Sequence, residues 1–493
     1  MRVAASLVLT AVCFAQSEKE PPPKDPIRML ADTAMAAPPE LAADLLIRIA
    51  ESPKVTDKAF KIELLERAFA LAPSAKFKLR LWRSFGRGSS TDSDTGAVAT
   101  ALRDGLDTLS LQSRVVRDLL PLDRARAMDL FVAIPPLAIP RLTCKDAIVY
   151  SAEAYYEMIE AVFRQGFTAK ERKDEKDVEL IRSTLARMNS PSELDVAVEL
   201  VLIPEVARHF EMLLATYNGA LRQMQADDRT FSIGLHVGGA ITGISSLRQA
   251  AANRGLSTYA QSDALRFFLV RHLAAARCAD SVEPQGLGRG AVSLVKYFNS
   301  DLSKDALNST GEQVPPITPE EVNPTRVEGR AEVFVYWETP RTKKLLMDMK
   351  RLRFGDDLGP KALTSEQRNE RAWERSVREF LKDLQRWNSD HEESEANYFH
   401  MASIIYHGLI DLIPARDLKT EVLRSYISFL AGSPMRRESP PEWYTHAKRI
   451  LRGLSDLTPD ERAWIREEIK AGGDVVMSVL IDMETLAPPA PRK

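Results

Sequence analysis

Apolar side chains recur at spacings of three and four along most of this chain, the period of one face of an α-helix. In PPELAADLLIRIAES, residues 38–52, Leu41, Ala42, Leu45, Leu46 and Ile49 form such a stripe. Proline and glutamate open it, which suits a first turn where a missing N–H leaves nothing unpaired. In SPKVTDKAFKIELLERAFALAPSA, Phe60, Leu64, Ala68 and Leu71 share a face, and Pro73 ends the run. Two helices joined by SPKV make an antiparallel hairpin, and a hairpin needs another to cover its open face.

The pattern continues. Pro121 separates two helical segments, and Asp123 is placed to cap the second. AEAYYEMIEAVFRQGF is amphipathic through Tyr156, Ile159 and Phe163. SEQRNERAWERSVREFLKDLQRW carries Trp373, Val377, Phe380, Leu384 and Trp387 on one stripe. Further helices fit 394–412, 418–431, 441–454 and 459–471. Between them the regime changes. EPQGLGRG, NSTGEQVPPITPEEVNPTRVEGR and FGDDLGPKALT are rich in turn residues. They predict a long connection or small insert over 285–362, with one short strand from Val333 to Trp337.

A period also shows at the N-terminal end. Ala34 precedes Pro39 by five residues, Ala68 precedes Pro73 by five, and the two pairs are 34 residues apart. This resembles the tetratricopeptide repeat, in which a small alanine lets paired helices approach and a proline ends the second helix. The resemblance covers residues 30–75. Lys61 stands where the repeat prefers a small residue, and the Trp-Leu-Gly pattern of its first helix is absent. What the resemblance implies is hairpin architecture.

The fold class expected is therefore all-α, with antiparallel hairpins stacked as an irregular α-solenoid. The divisions expected are a signal at 1–15, a partly disordered leader at 16–36 and a helical array at 37–284. The insert at 285–362, a C-terminal helical region at 363–486 and a disordered tail at 487–493 follow.

The start of the chain changes the chemistry to expect. One cation, Arg2, precedes an apolar run of 13 residues from Val3 to Ala15. A membrane span needs roughly 20. The run instead fits a secretory signal, cut after Ala15. A lipid anchor on Cys13 fits poorly, because the bulky Val12 precedes it. Export to a periplasmic or extracellular space is the expectation. No later stretch reaches 18 consecutive apolar residues, so no transmembrane segment is expected after the signal.

The formal charge is −2 over 493 residues, and losing Arg2 takes it to −3. Nucleic-acid binding wants a concentrated positive field, so it is not expected. An exported chain meets an oxidising space. Beyond the signal only Cys144 and Cys278 remain, which suggests one disulfide, with two buried thiols as the alternative. Neither sits in a CxxC pair.

Catalytic motifs are lacking. FSIGLHVGGAITGISS has no lysine followed by Ser or Thr, so it is not a phosphate loop; it reads as closely packed helices or a glycine-rich bend. There is no HExxH and no GxSxG. The best polar cluster is Glu393, His400, His407 and Asp411, spaced 7, 7 and 4. His400 and His407 are two helical turns apart, about 10.5 Å, so they cannot share one ion without distortion. Histidines at the edge of the apolar face, bonded to neighbours, explain them equally well. No cofactor or metal is called for.

A scaffold that binds a protein or peptide accounts for these features most simply, with Tyr150, Tyr155, Trp443 and Tyr444 as anchors. The alternatives are an extracytoplasmic hydrolase or lyase, whose carboxylates converge only in three dimensions, and a purely structural envelope protein.

Overall fold

A computed structural model describes residues 25–484, except 85–93, 232–235, 276–277, 280–281, 284–285, 288, 305, 324–327, 334–338, 369, 389–393, 415, 454–457 and 473. The signal, the first part of the leader, most of the expected Val333–Trp337 strand, Glu393 and the tail lie outside the described residues.

The described residues are mostly helical, at 69%. The short helices pack as antiparallel hairpins, and their ends follow local rules. Asp57 accepts from the backbone N–H groups of Ala59 (3.0 Å) and Phe60 (3.3 Å) and so starts Lys58–Leu71. Asp123 does the same for Arg124–Ala133 through Arg126 N–H, at 3.0 Å. A side-chain oxygen in this place satisfies a donor that the helix itself leaves unpaired. Gly105, at φ 68°, turns the chain between Asp94–Leu102 and Thr108–Leu119. Only glycine takes that left-handed conformation cheaply.

The first hairpin pairs Pro39–Glu51 with Lys58–Leu71, as the stripes predict. Its first helix differs from expectation in one respect. Every residue from Glu40 to Ala50 is buried except Arg48. The cause is encirclement: Pro26–Ala34, Lys58–Leu71, Thr108–Leu119, Pro440–Gly453 and Val475–Glu484 all pack against it. Pro26–Ala34 falls in the expected leader, yet it buries Leu30, Ala31 and Ala34 and is an ordered helix.

Two apolar cores result. One joins residues between Leu30 and Val162 to residues between Leu345 and Ile481. The other gathers residues between Ile139 and Val322. The two ends of the chain thus share a core, and the middle has its own. Glu153–Gln165 belongs to both: Met158 and Val162 face the first core, while Tyr156, Ile159 and Phe163 face the second.

The glycine-rich stretch is the packed helix its composition suggests. In His236–Ala252, a Cβ on Gly243 would lie 2.9 Å from Val198 Cγ2 of Leu194–Leu202. Between 285 and 362 the irregular chain is shorter than its turn residues predict. Arg289–Tyr297 and Pro340–Phe354 are helices within that interval. The described strands are small antiparallel pairs, Leu81–Ser84 with Ile148–Tyr150 and Val282–Glu283 with Gly286–Leu287.

Cys144 and Cys278 form the disulfide, with Cα atoms 5.2 Å apart across 134 residues of chain. It joins the segment that enters the second core to the one that follows Tyr259–Ala275. Among the described residues no helix is long and apolar enough to cross a membrane.

Two stability predictions follow from this packing. Replacing Gly243 with Ala forces Val198 aside and should lower unfolding free energy by about 1–3 kcal/mol, the usual penalty of overpacking. Denaturant titration of the variant measures it. Reducing Cys144–Cys278 releases a long loop and should remove on the order of 4–5 kcal/mol by the chain-entropy model. Calorimetry with and without reductant should show the melting temperature fall.

Candidate functional site

The helix Pro440–Gly453 is where distant parts of the chain meet, and its two faces do different things. On one face Tyr444 reaches the N-terminal hairpin. Its hydroxyl donates to Asp44 Oδ2 at 2.9 Å. Arg48 Nε donates to the same oxygen at 2.6 Å, and Arg114 Nη1 to Oδ1 at 2.8 Å. The Asp44 side chain is only 1% exposed, so it needs all three. Burial alone would raise its pKa, but the Arg48 and Arg114 guanidiniums and the Tyr444 hydroxyl outweigh burial and hold it below the ordinary value. Burial, then Asp44, pushes the Tyr444 phenol well up. One turn on, Lys448 Nζ meets Asp104 at 2.5 Å, with the ammonium pKa lowered by burial. Just before the helix, the Glu438 carbonyl accepts from Lys76 Nζ at 2.5 Å.

The other face carries Trp443 and His446 into the C-terminal helices. Trp443 Nε1 donates to the Leu430 carbonyl at 2.9 Å. His446 inserts between the two histidines of Glu395–Leu412. Its ring lies 4.8 Å from that of His400 and 5.7 Å from that of His407, stacked on the latter at 19°. His446 Nε2 and His400 Nδ1 are 2.8 Å apart. His407 Nε2 meets the Tyr426 hydroxyl at 3.0 Å. His446 Nδ1 has no hydrogen-bond partner. A bare lone pair is tolerated in a core more readily than an orphan N–H. We therefore assign the His446 proton to Nε2, where it donates to His400.

Of the polar cluster expected from spacing, the structure keeps His400 and His407 and adds His446 and Tyr426. Asp411 is exposed, and Glu393 lies outside the described residues. His446 had a sequence signal, since Trp443, His446, Ala447 and Ile450 share one helical face. That this face meets His400 had none. Burial lowers the pKa of His407 to about 3 and that of His446 well below its ordinary value. Among the described residues no group of three or more His, Cys, Asp or Glu is arranged to hold a metal ion.

Two of the four expected aromatic anchors are corrected by burial. Trp443 and Tyr444 are 0% exposed, because they fill the two faces just described, so they serve the interior. Tyr150 and Tyr155 are half-buried. Tyr155 meets Tyr156 edge-on at 5.8 Å.

An open cleft of about 450 Å³ lies between Pro340–Phe354 and the two helices Ser365–Arg368 and Arg371–Gln385. Leu352, Leu363, Trp373 and Phe380 supply its apolar lining. Asp348, Asp356, Glu370, Glu379 and Asp383 supply five carboxylates, against one cation in the lining, Arg351. Arg351 is itself paired with Asp348 at 3.2 Å. Trp373 Nε1 donates to the Leu352 carbonyl at 2.9 Å, which ties the walls together. Alternating polar and apolar positions in Arg371–Gln385 announce the buried stripe, but the facing wall was hidden in the interval read as an insert.

No protein-family model matches the chain, and no curated protein matches it.

Replacing Asp44 with Ala should destabilise the protein by about 3–5 kcal/mol, since it removes the one buried acceptor that Arg48, Arg114 and Tyr444 share. The milder Tyr444→Phe removes one hydrogen bond to a charged acceptor, about 1.5–3 kcal/mol. Equilibrium unfolding in urea distinguishes the two losses.

Proposed function

We propose that this protein is an exported helical scaffold that binds a basic peptide segment of a partner protein in the cleft between Pro340–Phe354 and Arg371–Gln385. The observation that carries this reading is the acidic rim over an apolar floor. Asp356, Glu370 and Glu379 are exposed at that rim, where Lys or Arg side chains of a peptide could meet them. Trp373 and Phe380 are buried beneath the rim and form the apolar floor over which a peptide would lie. Helical arrays commonly recognise partners through such surfaces without any catalytic motif. The tetratricopeptide-like spacing at 30–75 agrees with that use, and the apolar run Val3–Ala15 supports export.

Titration calorimetry with a Lys/Arg-rich peptide should show saturable binding that weakens as salt rises, because the contacts are exposed charges. An acidic peptide of equal length should not bind. The double variant Glu370→Gln, Glu379→Gln should weaken the basic peptide about tenfold, equivalent to roughly 1.4 kcal/mol. Equal affinity for both peptides, or an unaffected double variant, overturns the reading. For export, N-terminal sequencing of protein from its own cell should begin near Gln16.

A further inference from the structure

We propose that the buried imidazole cluster is an acid-sensitive latch: proton uptake at His407 or His446 releases Pro440–Gly453 from the C-terminal helices and so loosens the closure between the two ends of the chain. The geometry comes first. His446 is 3% exposed and lies between two imidazoles of another helix, its ring meeting that of His400 and that of His407. His446 Nε2 meets His400 Nδ1, His407 Nε2 meets the Tyr426 hydroxyl, and His446 Nδ1 has no partner. A second proton on His446 would sit on that Nδ1, with no acceptor to receive it. On His407 it would sit beside the His446 ring, whose centroid is 5.7 Å away.

The charged surroundings do not compensate. Arg449, on the same helix as His446, acts on both His407 and His446, as does His400. These influences are all cationic or become so. Arg416–Gly432 contributes Tyr426, a neutral phenol whose pKa is raised by burial. Pro340–Phe354 presents Met349 to Gly408. Glu442 is buried one turn before His446. Several charges of the packed elements are engaged elsewhere. Asp44 and Arg48 of Pro39–Glu51 hold each other and Tyr444. Asp104, after Asp94–Leu102, takes Lys448. Beside Met435–Glu438, Arg436 takes Asp474, and Asp482 of Val475–Glu484 takes Lys470.

The sign follows from linkage. A histidine in an opened chain titrates near 6.5, whereas burial depresses His407 to about 3 and His446 well below its ordinary value. The opened state therefore binds more protons below about pH 6.5. Closure is at full strength above that pH and weakens as pH falls toward the folded values. Each histidine should raise the opening constant roughly 25-fold between pH 7 and pH 5. The effect reaches the chain ends because the same helix carries Tyr444 and Lys448 on its other face. None of this depends on what occupies the acidic cleft.

Hydrogen exchange on the full chain, corrected for intrinsic pH dependence, tests the latch. Protection of Pro440–Gly453 should fall between pH 7 and pH 5 in the native protein. His446→Phe and, separately, His407→Gln should each shrink that fall by about 25-fold; the second keeps a partner for Tyr426 should the first not fold. His272, buried in the other core with its pKa lowered to about 4 by burial, adds an acid response of its own. The deciding readout is thus the difference between variant and native protein in this one helix. An unchanged pH dependence there in the folded variants overturns the proposal.

Discussion

A single buried carboxylate holds the fold's closure. Asp44 sits in a helix surrounded by others, and it stays charged only because three donors converge on it. Arg48 comes from its own helix, Arg114 from Thr108–Leu119, and Tyr444 from a helix 400 residues further along the chain. Burying a charge costs several kcal/mol, so such a group is a poor source of net stability. What it provides is register. Any packing of the ends that moves Tyr444 or Arg114 away leaves a desolvated anion short of partners, and that penalty selects one arrangement among many apolar ones of similar area.

The middle of the chain is organised differently. Its core has buried polar pairs of its own, such as the Tyr156 hydroxyl donating to Glu193 at 2.9 Å, and its staple is covalent: Cys144–Cys278 closes a 134-residue interval at the edge of the second core. Glu153–Gln165 couples this unit to the other by giving one face to each core. The clasp helix Pro440–Gly453 repeats that device with polar groups, placing Tyr444 and Lys448 on one side and Trp443 and His446 on the other. Helices with two buried faces transmit what happens on one side to the other, because a close-packed interior has few intermediate positions.

Much of this was legible in the residues. The stripe through Trp373, Val377, Phe380 and Leu384 is buried as its spacing predicts, with Trp387 beyond the helix end also buried. The C-terminal helix bounds agree within two residues. The two cysteines pair. The candidate site was legible only in part. His400 and His407 were visible as a polar interruption of an apolar face, but a lone helix cannot place both around one point. It took a residue from another helix, His446, to join them. Trp443 and Tyr444 misled, since large aromatics suit a partner surface and a core equally well.

Local order, then, was decided by the sequence itself: periodicity, aspartate caps and prolines act within a few residues and need no knowledge of the rest of the chain. The pairing of the cysteines could be inferred because there was no competing thiol after the signal. Which faces end up inside was decided by tertiary structure. Pro39–Glu51 reads as a helix with one apolar stripe, yet it is buried all round, with Asp44 on what would have been its wet side. Apolar burial is non-directional, so a stripe says that a face is covered without saying by what. The identity of the cover came from contacts as long as the chain, in which a carboxylate near the N-terminus and a phenol near the C-terminus satisfy each other.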